Sequence, residues 1–290
     1  IFKGVSMFDY SQAFSRNIGW VTQEEQKALK NKRIAIGGLG GVGGSHLITL
    51  TRLGIGNFNI ADLDDFDYPN FNRQYGATLS SVGRPKAEVM QETILDINPE
   101  LDIQLFDNGI TEENLDDFLK DVDVYVDSLD IFALEIRRKV FARCYELGIP
   151  TITAAPMGMG TAFLIFLPGK MSFEEYFALE GLSFEDQIIY FIMGVSPTVL
   201  QRHYLVDRSS VNFLHEKVPS TIMGIEISAG VACTQVLKLL FNRGEIICAP
   251  RGLHFDAYLN KLKKSWRPFG NKNPIQKIMY RRIKKILEEN

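Results

Sequence analysis

The chain has 290 residues, 46% of them apolar, enough to bury the core of a large domain and too apolar for a disordered chain. Its 32 basic and 35 acidic residues nearly cancel, but residues 261–290 hold ten Lys/Arg and two Glu, a local +8, against −11 on the rest. Three cysteines without paired spacing, Cys144, Cys233 and Cys248, argue against a disulfide framework and for a reducing, cytoplasmic setting.

No charged-then-apolar leader pattern opens the chain, and residues 1–6 read as additions before a start at Met7. Residues 9–32 read as helical, with Thr22 and Glu25 spaced as a T-x-x-E capping box. Residues 33–37 form a strand and 42–53 a helix, and Asn57–Leu63 is a second strand ending in acidic residues. Pro85–Ile97 is a helix with proline in its first turn. Ile103–Phe106 is a short strand, Glu112–Lys120 a helix, Val122–Ser128 a strand, and 132–147 a helix closed by Gly148. Thr151–Ala155 and Thr161–Leu167 are strands. This alternation predicts an α/β fold: a Rossmann-like, doubly wound, mostly parallel sheet with helices on both faces.

The pattern breaks at 171–221, where Ser172…Glu175 and Ser183…Asp186 mark two helix starts inside a helical insertion. Its aromatics (Phe173, Tyr176, Phe177, Phe184, Tyr190, Phe191) read first as packing and second as a groove for a partner. Residues 222–241 form a long helix, Ile246–Phe255 supplies late strand structure, and a basic helix ends the chain. Apolar runs such as Ile188–Met193 are far too short to span a membrane. The expected organisation is one domain over 7–260 and a basic helical tail over 261–290. That tail either folds back onto the acidic body or meets RNA, an acidic partner or a membrane surface.

Residues 34–47, IAIGGLGGVGGSHL, carry the chemistry. Gly38, Gly40 and Gly43 satisfy G-x-G-x-x-G between a strand and a helix, where backbone N–H groups cradle phosphates. Asp62 follows Gly40 by 22 residues, at the end of the next strand, where a carboxylate meets ribose hydroxyls. Both features serve NAD and ATP alike. Asn70, Arg73 and Gln74 then fall in one loop, and Lys86 opens a helix. A cation at that end opposes the macrodipole, which points to an anion beside it. A diphosphate needs only backbone amides, whereas ATP cleaved between its α and β phosphates calls for Arg, Lys and Mg²⁺. Mg²⁺ in turn needs a carboxylate. VYVDSLDIF offers two at a strand end: Asp127, read as a cap for the next helix, and Asp130, read as the metal-facing group.

The order GxGGxG, D-x-D, N-x-x-RQ, G-x-P-K, D-x-x-D resembles the ThiF/MoeB/E1 superfamily of adenylating enzymes, over about residues 8–167 and more weakly 222–257. AFSRNIG, residues 13–19, is similar to the R-Y-S-R-Q-x-x-x-G segment of that family. The resemblance implies that Gly38, Gly40, Gly41 and Gly43 lie against the phosphates of ATP and that Asp62 binds ribose, with Asp64 beside it. It implies that Asn70, Arg73 and Lys86 hold the triphosphate with help from Gln74, and that Asp130 engages Mg²⁺. Arg16 matches an arginine that reaches into a neighbouring protomer's site, which implies a homodimer. The implied reaction is attack of a carboxylate on the α-phosphate, giving an acyl-adenylate and pyrophosphate. The implied partner is a ubiquitin-like or sulfur-carrier protein, or a peptide, presenting its C-terminus.

The chain also departs from the pattern. It has no CxxC, which excludes a four-cysteine zinc site. His203 and Asp207, four apart, read as an exposed polar face; His46 and His254 read as structural. Residues 145–232 lack cysteine, so no thioester forms on the loop after the core strands. Cys144 and Cys233 read as core, and Cys248 is the remaining candidate thiol. Ala13 stands where the family has its first arginine. An alternative within the family is an enzyme like tRNA threonylcarbamoyladenosine dehydratase, activating a carboxylate on RNA. SVGRPKAEVM and the basic tail fit it; AFSRN fits the carrier-activating branch. A non-catalytic subunit is opposed by Arg16, Arg73, Lys86 and Asp130, and an NAD oxidoreductase leaves Arg73 and Lys86 unexplained.

Overall fold

The computed structural model describes residues 8–211 and 218–288; Met7 lies outside them. Its strands are β1 (Arg33–Gly37), β2 (Asn57–Ala61), β3 (Asp102–Phe106), β4 (Val124–Asp127), β5 (Thr151–Pro156), β6 (Gly160–Phe166), β7 (Arg251–Asp256) and β8 (Lys261–Trp266). They form one sheet in the order β3-β2-β1-β4-β5-β6-β7-β8. The pairings from β3 to β5 are parallel, and β6, β7 and β8 add antiparallel. Gly37 pairs with both Ala61 and Asp127, so β1, β2 and β4 finish level and their loops open on one edge. The chain winds from β1 toward β2 on one side and resumes at β4 on the other. In such sheets ligands bind at this switch of direction.

Alternate residues of the parallel strands face opposite layers. Ile34, Ile36, Val124 and Val126 join one buried cluster with Leu47, Leu50 and Val236, from α3 (Gly41–Leu53) and α9 (Ile222–Phe241). Ala35 and Tyr125 join the other with Phe141 of α6 (Leu134–Leu147) and the aromatics of the insertion. Burial on both sides explains why β1 and β4 read as continuous apolar runs. Helix α9 is long and apolar enough to cross a membrane, which the short apolar runs do not suggest. Here it lies on the sheet and α3, burying Ile225, Ala229, Ala232 and Val236.

The N-terminal stretch is not one helix. It divides into α1 (Tyr10–Ala13), a 3-10 turn (Ser15–Asn17) and α2 (Gln23–Leu29), with Gly19 at φ +108° before the Thr22–Glu25 capping box, which forms. Pro85 caps α4 (Lys86–Ile97) rather than entering its first turn. The helix expected at 112–120 shrinks to α5 (Leu115–Phe118), and the late strand begins at Arg251. Gly148 closes α6 at φ +76°, as expected.

The insertion contains α7 (Phe173–Phe177) and α8 (Phe184–Val195), both opened by their serine caps. Its aromatics mostly pack: Phe173 and Phe191 lie with ring centroids 4.5 and 5.0 Å from Phe177, while Phe184 stays exposed. The segment expected to be a basic helical tail begins instead as edge strand β8. Its helix α10 (Pro274–Glu288) folds back on α8: Tyr280 Oη donates to Asp186 Oδ1 at 2.6 Å and Lys284 Nζ pairs with it at 2.9 Å. Lys261, Lys263, Lys264, Lys272, Lys277, Arg281 and Arg282 are exposed and have no acidic partner among the described residues.

Candidate functional site

The loop between β1 and α3 is shaped by glycine at two points. Gly38 sits at φ +87°, and a Cβ there would lie 2.3 Å from the Ser128 carbonyl oxygen. A Cβ on Gly43 would lie 1.8 Å from the Gly38 carbonyl oxygen. These contacts press the loop against the end of β4 and aim the first amides of α3 at the open sheet edge. Gly40 occupies the N-cap without a side chain, leaving those amides to an outside acceptor.

Asp62 closes β2 beside this loop. Its Oδ2 accepts the Leu39 N–H at 2.6 Å and its Oδ1 the Asp64 N–H at 2.9 Å. Burial pushes its carboxyl above the ordinary aspartate range, against those two bonds and the charge of Lys86. The exposed Leu63 side chain, next in sequence, lies against Gly109.

Lys86 is buried, its side chain only 7% exposed, and its Nζ donates to Asp64 Oδ2 at 2.9 Å. The anion demanded by a lysine at a helix start is therefore Asp64 in this structure. The Asn70–Gln74 loop is folded by a reciprocal Asp67–Asn70 cap. Arg73 donates to the Pro69 carbonyl at 2.7 Å and to Asn72 Oδ1 at 2.9 Å, and has no carboxylate partner among the described residues. The Gln74 amide lies buried against Gly40, 3.4 Å from where a Cβ would stand, with its Oε1 lacking a partner.

Asp130 is exposed on the loop after β4; its Oδ1 accepts the Phe132 N–H at 3.0 Å. Asp127 does not cap α6. It is buried and accepts Arg137 Nε at 2.9 and 3.2 Å. A carboxylate this deep must be matched by a cation, and the sheet-facing turn of α6 supplies it. Arg137 is the site residue that sequence reading missed; its signal was an arginine on the buried face of an amphipathic helix.

Arg16 does not join the others. It is exposed on the 3-10 turn, whose Asn17 Nδ2 donates to the Leu53 carbonyl at 3.0 Å. That is the far end of α3, about 18 Å from the glycine loop at helical rise.

His46 lies beneath the loop, fully buried, with Nδ1 2.9 Å from Ser128 Oγ, and burial lowers its pKa to about 4. His254 is buried too, with Nδ1 2.7 Å from Thr198 Oγ1. Burial raises the thiols of Cys144 and Cys233; Cys248 is half-buried. Asp207 accepts the N–H and Oγ–H of Ser209. Among the described residues no three His, Cys, Asp or Glu converge as a metal cage. A metal held here would share Asp130, whose Oδ2 is without a partner among the described residues, with ligand oxygens carried in by a nucleotide.

A cavity of about 700 Å³ adjoins the Asp130 loop, lined by Phe132, Ala133 and Glu135 on one wall and by Phe184 and Gln187 of the insertion on the other.

The sequence model of the ThiF family matches residues 14–276. The tRNA threonylcarbamoyladenosine dehydratase of Bacillus subtilis (strain 168) is 37% identical over 142 residues, 49% of this chain and 55% of that protein. The sulfur carrier protein ThiS adenylyltransferase of Escherichia coli (strain K12) is 31% identical over 148 residues, 51% of this chain and 58% of that protein. The matched stretch thus spans little more than half the length of these relatives. Among solved structures, PaaA superposes with a TM-score of 0.67 at 18% identity, over 92% of this chain and 76% of that one. E. coli MccB with ATP superposes with a TM-score of 0.64 at 20% identity, over 91% and 72%. At these identities the likeness shows a shared fold.

Proposed function

The chain belongs to the ThiF family, and from that membership we propose that it is an ATP-dependent adenylating enzyme. Its substrate in this reading is the C-terminal carboxylate of a ubiquitin-like or sulfur-carrier protein, or of a peptide. One observation carries the reading: β1, β2 and β4 finish level, and the loops that follow them bring a glycine-shaped helix N-terminus, the Asp62 carboxylate, the Lys86–Asp64 pair and the exposed Asp130, with the Arg73 backbone beside Gly41. Hydride transfer has no use for Arg73 or Asp130, neither of which has an ionic partner among the described residues.

In the proposed reaction a carboxylate oxygen of the substrate attacks the α-phosphorus of ATP. The bond to the oxygen bridging the α and β phosphates breaks, and pyrophosphate leaves. The attacking carboxylate is already ionised at neutral pH, so no general base is needed. The α3 amides and Gln74 hold the phosphates, and Asp62 orients the ribose. Arg73 and Lys86 stabilise charge on the departing pyrophosphate. Lys86 changes partner as the nucleotide arrives, because Asp64 holds it at rest. Mg²⁺ supplies further positive charge to the phosphates when bound, with Asp130 as its protein ligand. No cysteine lies on the segment after the core strands, so the acyl group is handed on without a thioester there. Arg16 serves a partner's site in a homodimer.

A second reading is supported by the first relative above and by the seven exposed basic residues of β8, its following turn and α10. There the carboxylate is borne by RNA, and the basic surface meets phosphates. One assay separates the two: AMP release from ATP, driven by heat-treated protein, RNA or small-molecule fractions of source cells, with Asp130→Ala as the blank. Dependence on protein supports the first reading and dependence on RNA the second. Release driven equally in the blank removes Asp130 from the chemistry.

A further inference from the structure

We infer that Arg137 is the positioning residue for Asp130, and that Phe191 of the insertion braces it, so that the helical insertion sets the geometry of the reacting loop. The inference rests on the role of Asp130 proposed above. Asp130 reaches solvent from a short loop; its carbonyl accepts the Ala133 N–H at 3.0 Å within the loop and is tied to the interior by Arg137. Arg137 Nη1 donates to the Asp130 carbonyl at 3.0 Å, and Nη2 donates to the Leu129 carbonyl. The same guanidinium forks onto Asp127, whose Oδ1 also accepts the Leu129 N–H at 3.3 Å. One buried cation thus orders both turns of the loop, in a geometry that a lysine cannot reproduce.

One face of that guanidinium is covered by an aromatic ring. The Arg137 Cζ lies 4.7 Å from the centroid of Phe191, on α8, and Phe191 is itself held against Phe177 of α7. A planar cation is attracted to such a face, and more strongly where water is excluded. One path from the insertion to Asp130 therefore runs through two contacts, Phe191 on Arg137 and Arg137 on the loop. The insertion also touches the opposite side of the site, where Asn72 Nδ2 donates to the Ser220 carbonyl at 3.0 Å. A substrate that shifts α8 moves Asp130 with it.

The test compares Phe191→Leu, which keeps an apolar side chain and removes the ring, with Ile188→Val, which loosens the buried side of α8 and keeps the Phe191 ring. Hydrogen exchange is read for amides 129–133 and, as reference, 38–44 in the full chain. Phe191→Leu is expected to speed exchange at 129–133 about fivefold, leave 38–44 unchanged, and be partly rescued by Phe191→Tyr. Ile188→Val is expected to change neither. Equal exchange in all variants, or equal acceleration in Phe191→Leu and Ile188→Val, overturns the inference. If Phe191→Leu does not fold, Phe191→Met gives the same comparison. Magnesium titration of ATP binding adds the second arm: Phe191→Leu is expected to raise the half-saturating Mg²⁺ about fivefold, with metal-free affinity unchanged. Faster exchange in a protein whose wild type binds no Mg·ATP upholds the positioning and removes the adenylation reading instead.

Discussion

The carboxylate of Asp62 and the backbone nitrogen of Leu39 lie 2.6 Å apart, joining the end of β2 to the phosphate loop after β1. On the proposed reading, the group that meets the ribose is thereby fixed relative to the helix whose first amides meet the phosphates. Asp62→Asn is expected to weaken ATP binding about tenfold or more, since a charged acceptor is lost both to the sugar and to the loop. Titration calorimetry measures it.

The pH dependence of the same residue has a definite sign. Burial raises the Asp62 carboxyl, so the native state holds its proton at a pH where the unfolded chain has released it. Stability from this group is therefore lost as pH rises through its native titration, while the proposed ribose binding, which needs the ionised form, is gained. Nucleotide affinity of the wild type is expected to begin falling at a higher pH than an ordinary aspartate would give. Asp62→Asn is expected to flatten that profile.

His46 acts in the opposite direction. Its pKa falls to about 4, so between there and the ordinary histidine value the unfolded chain binds more protons than the native one. Stability from this group is complete above the unfolded value and lost as pH drops. About 2 kcal/mol is expected to disappear between pH 7 and 5 from this group. Denaturant melts of the wild type and His46→Gln at both pH values measure it; a slope unchanged by the substitution assigns the acid sensitivity elsewhere.

Gly43→Ala and Gly41→Ala separate two kinds of glycine. A Cβ at Gly43 meets a backbone oxygen at 1.8 Å, whereas at Gly41 it meets the tip of the Ile225 side chain at 2.8 Å. Gly43→Ala is expected to destabilise by about 2–4 kcal/mol and abolish nucleotide binding, and Gly41→Ala to cost less than half as much stability. Thermal melts with and without ATP distinguish the two.

Arg16→Ala is expected to impair turnover while leaving ATP affinity within about twofold, because at the far end of α3 it touches no part of its own chain's site. Mixing it with Arg73→Ala protein is expected to restore part of the activity. No recovery in confirmed mixed dimers would mean that Arg16 does not act across subunits.

What was legible in the sequence was what short-range constraint dictates. The glycine loop and Asp62 are separated by one helix and one strand, so their spacing alone brings them together. The parallel strands announced themselves because both faces are covered, and serine and threonine caps located the helix starts. Asp127 misled because its role depends on Arg137, ten residues on, and a helix cap was the nearer explanation. Strand β8 was hidden for the opposite reason: KLKKSW lies at a sheet edge with nearly every residue exposed, so no apolar alternation marks it. Lys86 was expected to face a nucleotide's anion; that Asp64 holds it was not apparent, since the pairing bridges a loop of more than twenty residues.

The remoteness of Arg16 from its own phosphate loop has a consequence for how the protein is handled. If that arginine completes a neighbour's site, the specific activity of a preparation is a function of its concentration. Dilution would silence each chain without unfolding it, and two inactive variants would form a working pair.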